Sequence, residues 1–196
     1  MSRNMNFTDL ADSIRTLHQL TDLKRKGWLQ RGVPPEICES VADHSYNVAK
    51  AGYYYTGDLH LVGMLSVHDW PEAICGDVTP RDNVDPQVKH KNEYEAMLQI
   101  TKSIPFGDKI MTLWLEYEDK SAPLSPLAHQ LDKLDAGVKA LYYENLGYDT
   151  SEFYPYAMKK LDDPILIKIF ERLLQRKHPL ADSHKVYFGM LSEKSF

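Results

Sequence analysis

Four side chains able to ligate a metal recur along this chain in one order: His44, the adjacent pair His68 and Asp69, and Asp132. They stand in three segments with helical periodicity. An adjacent His-Asp pair puts a nitrogen ligand and a carboxylate on one turn, and borderline divalent metals accept such mixed shells. Glu72 follows one helical turn after both members of the pair. Beside a bound metal its carboxylate would orient or deprotonate a water, or manage a leaving-group proton. The pattern points to metal-dependent hydrolysis. For the dipeptide alone the bland alternative is a buried His-Asp hydrogen bond beside a solvated Glu72, and for His44 alone a satisfied core histidine. The complete order with Glu72 is what separates the chemical reading from the bland one.

Helices must bring these residues together. Leu10, Ile14, Leu17, Leu20 and Leu23 form one apolar stripe ending before Gly27. Ser40 and Asp43 have the spacing of a capping box; the helix they open carries His44, Val48 and Ala51 on one face and ends near Gly57. A third helix follows Asp58, with Leu61, Leu65, His68, Asp69 and Glu72 along one side. Pro71 predicts that it kinks or ends close to the ligand pair. Asp85-Pro86 reads as a cap and first turn, with a stop at Pro105. A shorter helix is expected over 108–120. Ser125-Pro126 repeats the cap-plus-proline signal ahead of Leu127, Leu131, Leu134, Val138 and Leu141, closing at Gly147. Asp132 lies one position off that stripe, with Asp135 a turn later. Asp163-Pro164 opens a last helix with Ile165, Ile169 and Leu173. No strand-like alternation, repeat or linker stands out. The expectation is an all-α fold, one compact domain over 1–196 with its core at 8–178; segment 183–196 carries no assignment.

Composition narrows the partners. The chain has 196 residues, 43% of them hydrophobic, and a formal charge of −5. An acidic balance argues against binding a nucleic-acid polymer, while local cations in a cleft can still dominate for a small anionic substrate. Cys38 and Cys75 form no close pair, so neither a disulfide framework nor a thiolate zinc site is expected. The N-terminus lacks the apolar core of a signal peptide, and no apolar run approaches the roughly 18 residues of a membrane span. A cytoplasmic protein without a membrane partner is expected.

Longer stretches carry a resemblance. LKRKGWLQRGVPPEICESVADHS, VHDWPEAICGDVTPRDNV, KHKNEYEAM and QLDKLDAG resemble the HD-domain superfamily of metal-dependent phosphohydrolases, and within it the 5'-deoxynucleotidase-type branch that hydrolyses nucleoside monophosphates. The similarity covers about residues 10–175. It implies that His44, His68, Asp69 and Asp132 bind one divalent ion (Mn, Co, Fe, Ni, Zn or Mg) and that Glu72 is the catalytic carboxylate. It implies further that Asp77 lies near the sugar and the attacking water with Thr79 beside it, and that Trp28 contacts the nucleotide. Trp28 read alone is equally a half-buried tryptophan closing the core. Where some relatives have arginine before that tryptophan this chain has Gly27, so Arg25 and Arg31 are expected to supply the phosphate cation. His60, His90 and His129 read as surface or packing histidines rather than ligands of a second metal. Tyr46, Tyr53, Tyr54, Tyr55, Tyr142 and Tyr143 read as core packing or a subunit interface, with a symmetric homodimer expected. Competing readings are a nucleoside triphosphate or modified-nucleotide phosphohydrolase on the same fold, dinuclear oxygenase chemistry needing a second metal, and a non-catalytic nucleotide- or partner-binding module.

Overall fold

Short polar side chains begin the helices that carry the candidate ligands. In the computed structural model, which describes residues 7–175, the helices are α1 (Phe7–His18), α2 (Lys26–Leu29), α3 (Val41–Thr56), α4 (Leu59–Val67), α5 (Glu72–Cys75), α6 (Pro86–Thr101), α7 (Gly107–Glu118), α8 (Ser125–Asn145), α9 (Phe153–Lys160) and α10 (Pro164–Leu174). Tight 3-10 turns occupy Gln19–Thr21 and Pro80–Asp82. An isolated bridge between Lys24 and Ser40 is the only β pairing among the described residues. The fold is all-α. None of the described helices is long and apolar enough to cross a membrane.

The expected capping box opens α3. Ser40 Oγ accepts from Asp43 N at 3.1 Å and Asp43 Oδ2 accepts from Ser40 N at 2.8 Å. Gly57 ends α3 in the left-handed conformation (φ 68°), open to glycine without a Cβ penalty. Asp58 then caps α4, accepting from His60 N and Leu61 N. Asp85 and Asp163 cap α6 and α10 the same way.

The resulting α3–α4 hairpin packs closely, α3 also lies on α8, α4 on α7, and α8 carries α9 and α10. Val48, Leu61, Leu65, Leu131, Leu166 and Phe170 fill the centre, each burial contributing on the order of 1.5–3 kcal/mol. Gly52 sets the α3–α4 distance: a Cβ there would stand 2.6 Å from Leu65 Cδ1.

Several elements depart from expectation. The N-terminal stripe breaks at His18 into a 3-10 turn, and Gly27 lies inside the short α2 rather than beyond a helix end. Helix α4 stops at Val67, so His68 and Asp69 belong to the turn before α5, where Glu72 N donates to Asp69 O at 3.1 Å. The helix thus ends close to the ligand pair, one of the two outcomes Pro71 predicts. Ser125 is the first residue of α8, not its cap, and its hydroxyl donates to Tyr117 O at 2.8 Å. Helix α9 has no sequence cap; Pro155 is tolerated because first-turn amides lack intrahelical partners anyway. Segment 183–196 lies outside the described residues.

Candidate metal centre and active-site cavity

The capping box places His44 in the first turn of α3, pointing into the bundle with no exposed surface. Its Nδ1 is 2.9 Å from Asp135 Oδ2 on α8. Its Nε2 faces Asp132 Oδ1 at 3.2 Å and Asp69 Oδ2 at 3.7 Å. His68, one residue past α4, donates from Nδ1 to Leu65 O at 2.7 Å. A carbonyl only accepts, so Nδ1 carries a hydrogen, and Nε2 lies 3.2 Å from Asp69 Oδ2. Ligand atoms of His44, His68 and Asp69 all lie within 4.8 Å of one another. Asp132 approaches from α8, its Oδ2 accepting from Tyr117 Oη at 3.1 Å and Lys133 Nζ at 2.8 Å.

Three buried atoms here make no hydrogen bond: His44 Nε2, His68 Nε2 and Glu72 Oε2. An unsatisfied buried polar group costs on the order of 1–3 kcal/mol. Two imidazole nitrogens without hydrogen-bond partners converging on one carboxylate oxygen suit a divalent cation with mixed N/O preference, and the residues fit one.

The charges reinforce this. Burial and Arg25 pull the His44 imidazolium down, yet Asp132, Asp135 and Asp69 outweigh them and raise it to about 10; a proton stands in for a cation. Burial favours protonated Asp69, but His68, Arg25 and His44 hold it well below the usual carboxylate range. Glu72 goes the other way: burial, Asp69 and Asp77 push its carboxyl well above the ordinary value. Burial likewise raises the Tyr117 phenol, helped by Asp132 and Asp69, so it stays a donor. Arg25 pairs with Asp69 Oδ2 at 3.2 Å; despite burial, Asp69, Glu72 and Asp77 keep its guanidinium charged.

The cluster opens into a cavity of about 630 Å³. His68, Asp69, Glu72, Asp77, Thr79, Asp132, Arg25, Trp28 and Arg31 all line it, while His44 stands behind His68 and Asp69. Asp77 accepts from the backbone amide of Lys26. Thr79 turns its hydroxyl and amide to Asp82 and accepts from Gln30 Nε2 at 3.3 Å.

Two of the expected substrate contacts also have protein partners of their own. Trp28 is 2% exposed: its Nε1 donates to Glu39 at 2.7 Å and its ring packs on Phe153 and Tyr143. It is at once part of the core and of the cavity wall. Arg31 is paired with Glu152, which also lines the cavity, and Arg81 lies 3.6 Å from the same carboxylate. His60 pairs with Glu116 away from the cavity, and His90, outside the lining, pairs with Glu118, which is part of it. His129 lines it, bonded to Tyr117 O at 3.0 Å.

Sequence reasoning left Asp135, Tyr117 and Lys133 without a role. Asp135 sits one turn after Asp132 on α8, and that spacing was the one available signal. Tyr117 carried none, because its place depends on how α7 crosses α8.

Fold and site together define an all-α domain with a buried His-His-Asp cluster suited to a metal. The sequence model of the HD domain family matches residues 17–173. The 5'-deoxynucleotidase HDDC2 of Bos taurus is 34% identical over 175 residues, and that of Homo sapiens 32% over 173; each alignment covers 84% of both chains. A conserved hypothetical protein from Pyrococcus furiosus superposes with a TM-score of 0.67 at 28% identity, covering 85% of this chain and 99% of the other. The chain belongs to the HD-domain family.

Proposed function

We propose that this protein is a metal-dependent phosphohydrolase that removes the 5'-phosphate from nucleoside 5'-monophosphates, with the 2'-deoxy series preferred. One observation carries the reading. Two buried imidazole nitrogens without partners face Asp69, beside an unpartnered Glu72 carboxylate, on the wall of a cavity that also holds Arg25. Relatives with 5'-deoxynucleotidase names align over 84% of their length, which supports the substrate class.

His44, His68, Asp69 and Asp132 would hold one divalent ion, from among Mn, Co, Fe, Ni, Zn and Mg. Such an ion supplies Lewis acidity for activating a water and for neutralising phosphoryl charge. Glu72 handles the proton: burial and the neighbouring acids favour its protonated form, so it would take a proton from the attacking water once a bound cation ionises it, or give one to the leaving group. Arg25, paired with the same Asp69 oxygen that the two imidazoles approach, meets phosphoryl charge. Asp77, fixed by the Lys26 amide, orients the sugar or the water. Arg31, held by Glu152, and Thr79, held by Asp82 and Gln30, shape the far wall.

The charge of −5 supports a small nucleotide rather than a polymer as partner. Exposed Tyr46, Tyr53 and Tyr54 on the outer face of α3 support a symmetric homodimer. A single domain in the cytoplasm, free of membrane partners, completes the reading.

The test is a panel of ribo- and deoxynucleoside mono- and triphosphates, offered to metal-stripped protein with each cation restored in turn. The expected product is orthophosphate from monophosphates, fastest in the deoxy series. Hydrolysis confined to triphosphates would replace this reading.

A further inference from the structure

The fold treats the two oxygens of Asp132 differently. Oδ2 accepts from Tyr117 Oη at 3.1 Å and from Lys133 Nζ at 2.8 Å. Oδ1 is turned to Nε2 of His44 at 3.2 Å, an atom with no hydrogen-bond partner. Two donors on one oxygen fix the plane of a carboxylate and so the point at which its other oxygen is offered.

Tyr117 itself has little freedom. It is 6% exposed, and its carbonyl accepts from Ser125 Oγ at 2.8 Å and from His129 Nε2 at 3.0 Å. Its ring lies between His68 and His129, with centroids 5.1 and 4.2 Å away. Residues from both ends of the α7–α8 connection therefore aim one hydroxyl at one carboxylate oxygen.

We infer that Tyr117 is a positioning residue for the metal centre: it saturates Oδ2 of Asp132 and so reserves Oδ1 as the single oxygen offered to the ion. The inference rests on Asp132 being a ligand, as in the proposed function. A carboxylate bound through one oxygen takes one coordination position, and a hydrolytic site needs positions left open for water and substrate. Without the hydroxyl, Asp132 can rotate and engage through both oxygens, or drift from the ion.

The test uses Co²⁺ as the probe, with affinity read by chelator competition and geometry by the visible absorption band. Tyr117→Phe is expected to bind Co²⁺ on the order of 10–100-fold more weakly with an altered band, while its metal-free thermal midpoint stays near wild type. Tyr143→Phe is the control: it removes a buried hydroxyl that serves Glu39 N and Ile37 O, and should leave affinity and band unchanged. Wild-type affinity and band in Tyr117→Phe, with loss of binding in Asp132→Ala, would overturn the positioning role and leave the proposed centre standing. Wild-type binding in Asp132→Ala would overturn both.

Discussion

Each imidazole of the cluster is made available by what holds its other nitrogen. Asp135 occupies Nδ1 of His44 and the Leu65 carbonyl occupies Nδ1 of His68, so both Nε2 atoms are left facing Asp69. This separates binding from turnover. Asp69→Ala removes the carboxylate between them and should abolish metal binding and activity together, read by equilibrium dialysis and phosphate release. Glu72→Gln should keep the ion and lower kcat on the order of 10²–10⁴-fold; full turnover in that variant would remove Glu72 from its proton-handling role. Proton and cation compete for His44, whose pKa without metal is raised from 6.5 to about 10. Folded, metal-free protein therefore holds that proton below about 10, and loading must expel it. Metal affinity should rise with pH through the neutral range, and titration calorimetry in buffers of different ionisation enthalpy should detect proton release. Binding without release would contradict the geometry around His44. The ligand order and Glu72 were legible because their residue types and sequence order carry the chemistry. The partners of Trp28 and Arg31, Glu39 and Glu152, were not legible because they come from segments whose approach no local pattern announces.

At the scale of elements, the α3–α4 hairpin aligns the site. Ser40 fixes where α3 starts, Gly57 and Asp58 reverse the chain, and Gly52 lets Leu65 approach. Gly52→Val should push the helices apart and cost on the order of 1–3 kcal/mol by overpacking. The measurements are the thermal midpoint and the metal affinity, both expected to fall; an unchanged midpoint would show that the hairpin has slack. Helices opened by Ser40, Asp58, Asp85 and Asp163 were legible because a cap is a local interaction. The short α2, α5 and α9 were not, since helices of this length draw their stability from tertiary packing rather than from propensity. Ser125 shows the limit of the cap rule: its hydroxyl serves the neighbouring helix at Tyr117, a partner that local spacing cannot name.

At the scale of the molecule, a chain of net charge −5 concentrates arginine and lysine around a buried acidic cluster. Arg25, Arg31 and Lys133 are each paired with a carboxylate there, and acidic side chains still outnumber basic ones in the lining, which favours entry of a cation. Folding and loading are then linked: an ion at 100 times its Kd should stabilise the native state by about 2.7 kcal/mol, seen as a higher thermal midpoint that chelation reverses. The most direct test of the whole account is to titrate stripped protein with one divalent cation while following both bound ion and orthophosphate released from a 2'-deoxynucleoside 5'-monophosphate. Release should climb in step with occupancy and saturate at one ion per chain. Release by the stripped protein, or activity that appears only after a second ion binds, would contradict it.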